Sequence, residues 1–128
     1  MKLLEIKEAI YDRLESVLDV GIYDYLPSEE RPPFVVMEEM EFDFPDHLSS
    51  KFDEAYLVQQ ALVVVTEAEG KYQAVEIVKK IKKAFGKFLE IEGELPISQK
   101  LMKGKIYEAD DGLYIARTGV ELWMEEEE

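Results

Sequence analysis

The sequence predicts an α+β fold, a mainly antiparallel sheet of about five strands with two helices packed on one face. Three observations lead there. Residues 55–89 change hydrophobic period once, from about two to about 3.6 residues, so a strand feeds a helix. Residues 2–18 repeat apolar side chains at three- and four-residue steps, the pattern of an amphipathic helix. Asp111 and Gly112 lie between two segments of β-type residues, the signal of a closing hairpin.

In the first helix Leu3, Ile6, Ile10, Leu14, Val17 and Leu18 form the apolar stripe, and Gly21 is expected to end it. Ile22, Tyr23 and Tyr25 suit a short edge strand over 20–26, before Pro27, Pro32 and Pro33 forbid regular structure. A strand over 34–44 puts Phe34, Val36, Met40 and Phe42 on one face, while Glu39, Glu41 and Asp43 turn the other toward water. Turn residues and mixed charge mark 45–53 as a mobile loop or hairpin tip. The next strand sends Tyr56, Val58, Leu62 and Val64 to one face and Ala55, Leu57, Ala61, Val63 and Val65 to the other, with Gln59 and Gln60 its polar interruptions. Such a strand is central and covered on both sides, by its own protein or by a partner.

Glu67, Glu69 and Gly70 make the following turn and set negative charge near a helix amino terminus, where the helix dipole favours it. Tyr72, Val75, Val78, Ile81, Phe85 and Phe88 give that helix its stripe; Gly86 and Gly93 loosen its exit. Strands over 100–107 and 113–123 follow. Residues 1–124 read as a single domain, and the four glutamates at 125–128 as an acidic, disordered tail.

The chain of 128 residues is long enough to bury a core without staples. It has no cysteine, so disulfides, thiolate metal sites and cysteine nucleophiles are excluded. No apolar run approaches membrane-spanning length and the amino terminus lacks a signal-peptide core, so a soluble protein made in the cytoplasm, with no membrane partner, is expected. The net charge of −14, from 29 acidic against 15 basic residues, opposes phosphate-backbone binding and argues against sequence-specific nucleic-acid recognition.

Catalytic parts are scarce. His47 is the one histidine; beside Asp46 and Ser49 it superficially mimics a triad, but residues so close in sequence rarely reach triad geometry, and it reads as a solvated loop histidine. Glu38 with Glu39, and Asp110 with Asp111, lack the spaced ligands of a calcium loop and read as solvated turns. The glycines are isolated from one another, so no phosphate-binding loop is present. No catalytic residue, metal or cofactor is expected. Lys79, Lys80, Lys82, Lys83 and Lys87 form the one strongly basic patch. It compensates the helix dipole, and it also offers a surface complementary to the acidic strand end on a neighbouring copy. The interface set read in this way is Glu39, Glu41, Asp43, His47 and Lys51 with Lys79, Lys80, Lys83 and Lys87.

The order of these pieces resembles the tail-completion, or tail-terminator, proteins of long-tailed bacteriophages and prophages. The resemblance is carried by the amphipathic helix leading into IYDYLP at 22–27, PPFVVMEE at 32–39, ALVVVTEAEGKYQAVEIVKKIKKAF at 61–85 and the last strand ending ARTGVELWM. It implies a non-enzymatic virion component, made in the host cytoplasm and resident in the tail. There it forms a ring of about six copies, partnering itself, the tail-tube protein and the head connector, stopping tube growth and joining tail to head. An acidic ring would repel DNA phosphates from its lumen, and open strand edges could extend the sheet between copies. The competing reading is a small cytoplasmic adaptor or regulatory module whose amphipathic surfaces engage one host protein.

Overall fold

The computed structural model describes residues 1–44, 55–67, 69 and 71–126. Eight elements follow in order: α1 (Leu3–Val17), β1 (Gly21–Tyr23), β2 (Phe34–Asp43), β3 (Ala55–Glu67), α2 (Lys71–Ala84), β4 (Ser98–Leu101), β5 (Lys105–Glu108) and β6 (Leu113–Glu125). The strands form one six-stranded sheet in the order β1-β2-β3-β6-β4, with β5 also on β6. All pairings are antiparallel except β1 with β2. The fold is the expected α+β sandwich, with one strand more than expected.

The spine is β3 against β6, paired residue for residue from Ala55↔Glu125 to Glu67↔Leu113. Alternation along β3 works as read: Tyr56, Val58, Leu62 and Val64 face the helix layer with Ala116, Val120, Leu122 and Met124 of β6. Ile6, Ile10 and Leu14 of α1 and Ile77, Ile81 and Phe85 of α2 close the core over them. α2 lies against β3 and β6, while α1 touches α2 and β1. On the opposite face only one end is packed, by Phe34, Val36, Val63 and Val65 with Tyr23, Leu113 and Ile115. The expected cover on both faces is therefore half met among the described residues.

α2 connects β3 to β4, which run parallel with β6 between them, since each is antiparallel to β6. Its carboxyl end is held from outside the helix. Arg13 Nη1 donates to the Ala84 and Lys87 carbonyls at 2.6 and 2.8 Å, and Gln99 Nε2 donates to the Phe85 and Lys87 carbonyls, both at 2.8 Å. Those carbonyls would otherwise lack helical partners.

Several local expectations need correction. α1 ends at Val17, with Leu18 already extended (φ −108°, ψ 146°), and Gly21 begins β1 instead of ending the helix. Gly93 does not loosen anything. Glu92 and Gly93, with φ of 51° and 84°, form a two-residue turn closed by reciprocal Ile91 and Glu94 backbone bonds of 2.8 and 3.0 Å, which pins Ile91 in the core. The strand expected over 100–107 is two: β4 pairs Leu101 with Val120, β5 pairs Lys105 with Arg117, and Met102 N–H bridges them to the Gly119 carbonyl at 2.8 Å. A Cβ on Gly104 would run into the Arg117 carbonyl oxygen, so the chain can jog this closely only at glycine. The closing hairpin is as read: Ala109 N–H donates to the Leu113 carbonyl at 2.7 Å, and Gly112 takes φ 71°. β6 continues through Glu125, past the expected boundary at 124, and Glu126 pairs with the amino-terminal ammonium at 2.9 Å. Residues 127 and 128 lie outside the described residues.

Candidate subunit interface

β2 has a paired half and an open half. β1 covers it only at Phe34–Val36, so the remainder is a sheet edge. At Glu38 and Glu39 the register with β3 slips, two residues bulging opposite Ala61. The buried Gln60 amide stabilises the bulge from the core side: its Nε2 lies 3.2, 3.4 and 2.9 Å from the carbonyl oxygens of Glu38, Glu39 and Ala61. Beyond the bulge Glu41 and Asp43 stand opposite Gln59 and Leu57 on the sheet face away from the helices, while Phe42, opposite Val58, stands on the helix side. Glu39, Glu41 and Asp43 are exposed, as read. Phe42 meets Phe44 edge-on, ring centroids 6.0 Å apart, and Phe44 meets Tyr56 at 5.9 Å.

The lysine patch divides. Lys79 and Lys82 line a groove of about 410 Å³ between α2 and the β4–β5 edge, whose lining includes Val78, Leu101, Met102 and Ile106. Lys80, Lys83 and Lys87 face a different groove, shared with Arg13, Val17 and Ala84 on the α1 side. Lys79 also meets Glu76 one turn earlier at 3.5 Å. The open half of β2 and the β4–β5 edge are opposite flanks of the sheet, so one chain does not bring its acidic strand end and Lys79 together. His47 and Lys51 lie outside the described residues.

Sequence reasoning passed over the lysines of the second flank. Lys105 also lines the groove, but its register with Arg117 turns its ammonium to the outward face, 5.2 Å from the Tyr107 ring centroid, and Lys100 and Lys103 flank it along the chain. Their signal was the basic spacing of KLMKGK at 100–105, legible as a patch only once both segments lie on one edge. The outward sheet face also carries cross-strand charge. Arg117 spans to Glu38 at 2.9 Å and to the Tyr107 hydroxyl at 3.0 Å; the Tyr107 hydrogen bond, then Glu38, hold the guanidinium pKa above its usual value against the opposing effect of burial. Glu121 accepts from Gln59 at 2.7 Å and meets Lys100 at 3.2 Å. Among the described residues no group of three or more histidine, aspartate or glutamate side chains is disposed to hold a metal, and no helix is long and apolar enough to cross a membrane.

This architecture recurs in known particles. A chain of the virion of a native gene transfer agent particle superposes with a TM-score of 0.73 at 15% identity, over 94% of this chain and 94% of that one. A chain in the cryo-electron-microscopy structure of the sheath/tube terminator of an extracellular contractile injection system, PVC, in its extended state, gives 0.60 at 11% identity, over 100% of this chain but only 58% of that one. No family model matches, and no curated protein matches. At these identities the likeness is one of fold. It agrees with the resemblance read from the residues: one neighbour is a chain of a gene transfer agent virion, the other a chain from a sheath/tube terminator structure.

Proposed function

We propose that this chain is a tail-completion protein, a structural subunit that assembles as a ring of about six copies at the head-proximal end of a tail. There it ends growth of the tail tube and presents the joining surface for the head connector. The observation that supports this most is the correspondence with a chain of a gene transfer agent virion over 94% of both chains, which leaves little of either without a counterpart. An acidic wall suits a passage for DNA, because the net charge of −14 repels phosphate without base contacts. In this reading the acidic end of β2, with Glu39, Glu41 and Asp43, faces lysines of the next copy. His47 and Lys51, with Lys79, Lys80 and Lys83 on α2 and Lys87 after it, complete the proposed contact set. The expected site of action is the virion tail, after assembly in the host cytoplasm.

Electron microscopy of the purified protein, alone and mixed with the tail-tube protein of the same genetic element, tests the reading. Rings, and tubes capped at one end with narrowed length distribution, are expected. A chain that stays monomeric in both samples and leaves tube length unchanged would return the adaptor reading.

A further inference from the structure

We infer that the end of β2 on one copy seats in the groove between α2 and the β4–β5 edge of the next, Phe42 entering the apolar floor while Glu41 and Asp43 meet Lys79, Lys82 and Lys105. The inference rests on the ring reading and specifies its interface. Phe42 and Phe44 are 52% and 47% exposed, two aromatic side chains standing together at a strand end. On the other flank Ile106 is 40% exposed, in a groove of about 410 Å³ floored by Val78, Leu101, Met102 and Ile106. Pockets that bury ligands occupy roughly 300–1,000 Å³, so the groove is large enough for a phenyl ring.

The charges agree with the shapes. Among the described residues Glu41 and Asp43 have no cation within 4.0 Å, and Lys82 and Lys105 have no carboxylate within that distance. The charged residues lining the groove are thus all basic around an apolar centre, and those beside Phe42 are acidic. Apolar contact supplies affinity in such an arrangement, and the charged rim supplies orientation and a salt-sensitive association rate. The alternative seat is the α1-side groove of Lys80, Lys83 and Lys87, about 580 Å³, whose apolar lining among the described residues is Val17 and Ala84; a link between positions 42 and 106 separates the two. Strand addition along β2 fits less well: the bulge at Glu38 and Glu39 breaks the regular edge that a partner strand would need. Because the two surfaces differ and lie on opposite flanks, the contact repeats head to tail, which closes into a ring or continues as a filament but does not stop at a two-fold dimer.

The chain has no cysteine, so a paired substitution reads the contact directly. In the full chain carrying F42C and I106C, oxidation of the assembled protein is expected to give a ladder of cross-linked multimers, and a mixture of the two single variants only cross-linked dimers. Reversing the rim, as Glu41→Lys with Asp43→Lys or as Lys79→Glu with Lys105→Glu, is expected to weaken association at least about tenfold by sedimentation, and combining both reversals in one chain to restore it. Circular dichroism checks that each variant is folded. Oligomers of wild-type size that form no link between positions 42 and 106, or a folded four-residue reversal that fails to reassociate, would overturn this interface while leaving the terminator reading standing. A wild-type chain that remains monomeric with and without tail-tube protein would overturn both.

Discussion

Gln60→Glu separates shape from chemistry in the most apolar strand of the protein. Gln60 is fully buried, and three carbonyl oxygens within 3.4 Å surround one end of its side chain, which identifies that end as the amide nitrogen; Oε1 has no partner. A carboxylate of the same size turns the two donated hydrogens into an oxygen facing oxygens. The loss is about 1 kcal/mol for each hydrogen bond, plus the penalty of a buried, unpaired charge, about 3–5 kcal/mol in all at neutral pH. That is a large share of the roughly 5–15 kcal/mol that hold a typical domain together. Desolvation and the facing carbonyls raise the folded-state pKa of this carboxyl above its unfolded value of about 4.3. The folded state then binds the proton more tightly, so the penalty is absent below the unfolded pKa, grows by about 1.4 kcal/mol per pH unit between the two values, and is complete above the folded one. Urea unfolding of wild type and variant at matched pH between about 5 and 8 measures it. Gln60→Leu is the control: it loses the same donors but also removes the unpartnered Oε1, and is expected within about 1.5 kcal/mol of wild type. A Gln60→Glu variant as stable as wild type near pH 8, or one whose deficit does not change with pH, would refute the account of the bulge.

Three further outcomes are expected. Arg13→Ala removes the donors that reach the Ala84 and Lys87 carbonyls and the guanidinium 5.8 Å from the Phe85 ring centroid, and should cost about 1–3 kcal/mol in denaturant unfolding, with hydrogen exchange accelerated first at the carboxyl end of α2. In Gly119→Ala the new Cβ would stand 2.7 Å from both the Gln60 carbonyl oxygen and Met102 Sδ, so β6 must shift; a loss of about 1–3 kcal/mol in thermal melts is expected. Tyr56→Phe removes the hydroxyl that accepts the Lys2 N–H at 3.2 Å, costing about 1 kcal/mol. Burial raises the Tyr56 pKa, so its contribution is complete below the unfolded value of about 10 and lost as pH rises through the folded one; the variant should lack that share of alkaline destabilisation, followed by tyrosinate absorbance alongside unfolding.

What the sequence made legible was set by local period. Alternation along 55–67 assigned the apolar β3 side chains to their faces without knowledge of their neighbours. The stripe read for α2 was only partly right: Ile81 and Phe85 are in the core, but Ala74 and Ile77 are buried in place of Tyr72, which is 82% exposed. Pairing order was not legible, because β4 and β5 lie beside β6 only through contacts distant in sequence and through a jog that needs Gly104. The same limit applies to the lysines. A residue advances about 100° around a helix, so Lys80 and Lys83 lie within about 60° of each other and Lys79 and Lys82 form a separate pair, with Lys87 past the helix end. That division was implicit in the spacing. The groove each group faces was not, since it depends on α2 passing from β3 over β6 to β4 with α1 on its other side. A run of charge in sequence is therefore a weak guide to a surface. The acidic end of β2 and the basic β4–β5 edge carry opposite signs on opposite flanks only because β6, last in the chain, inserts between β3 and β4. With β6 on the outside, the basic edge would be covered, and the polarity that suits a head-to-tail ring would be lost.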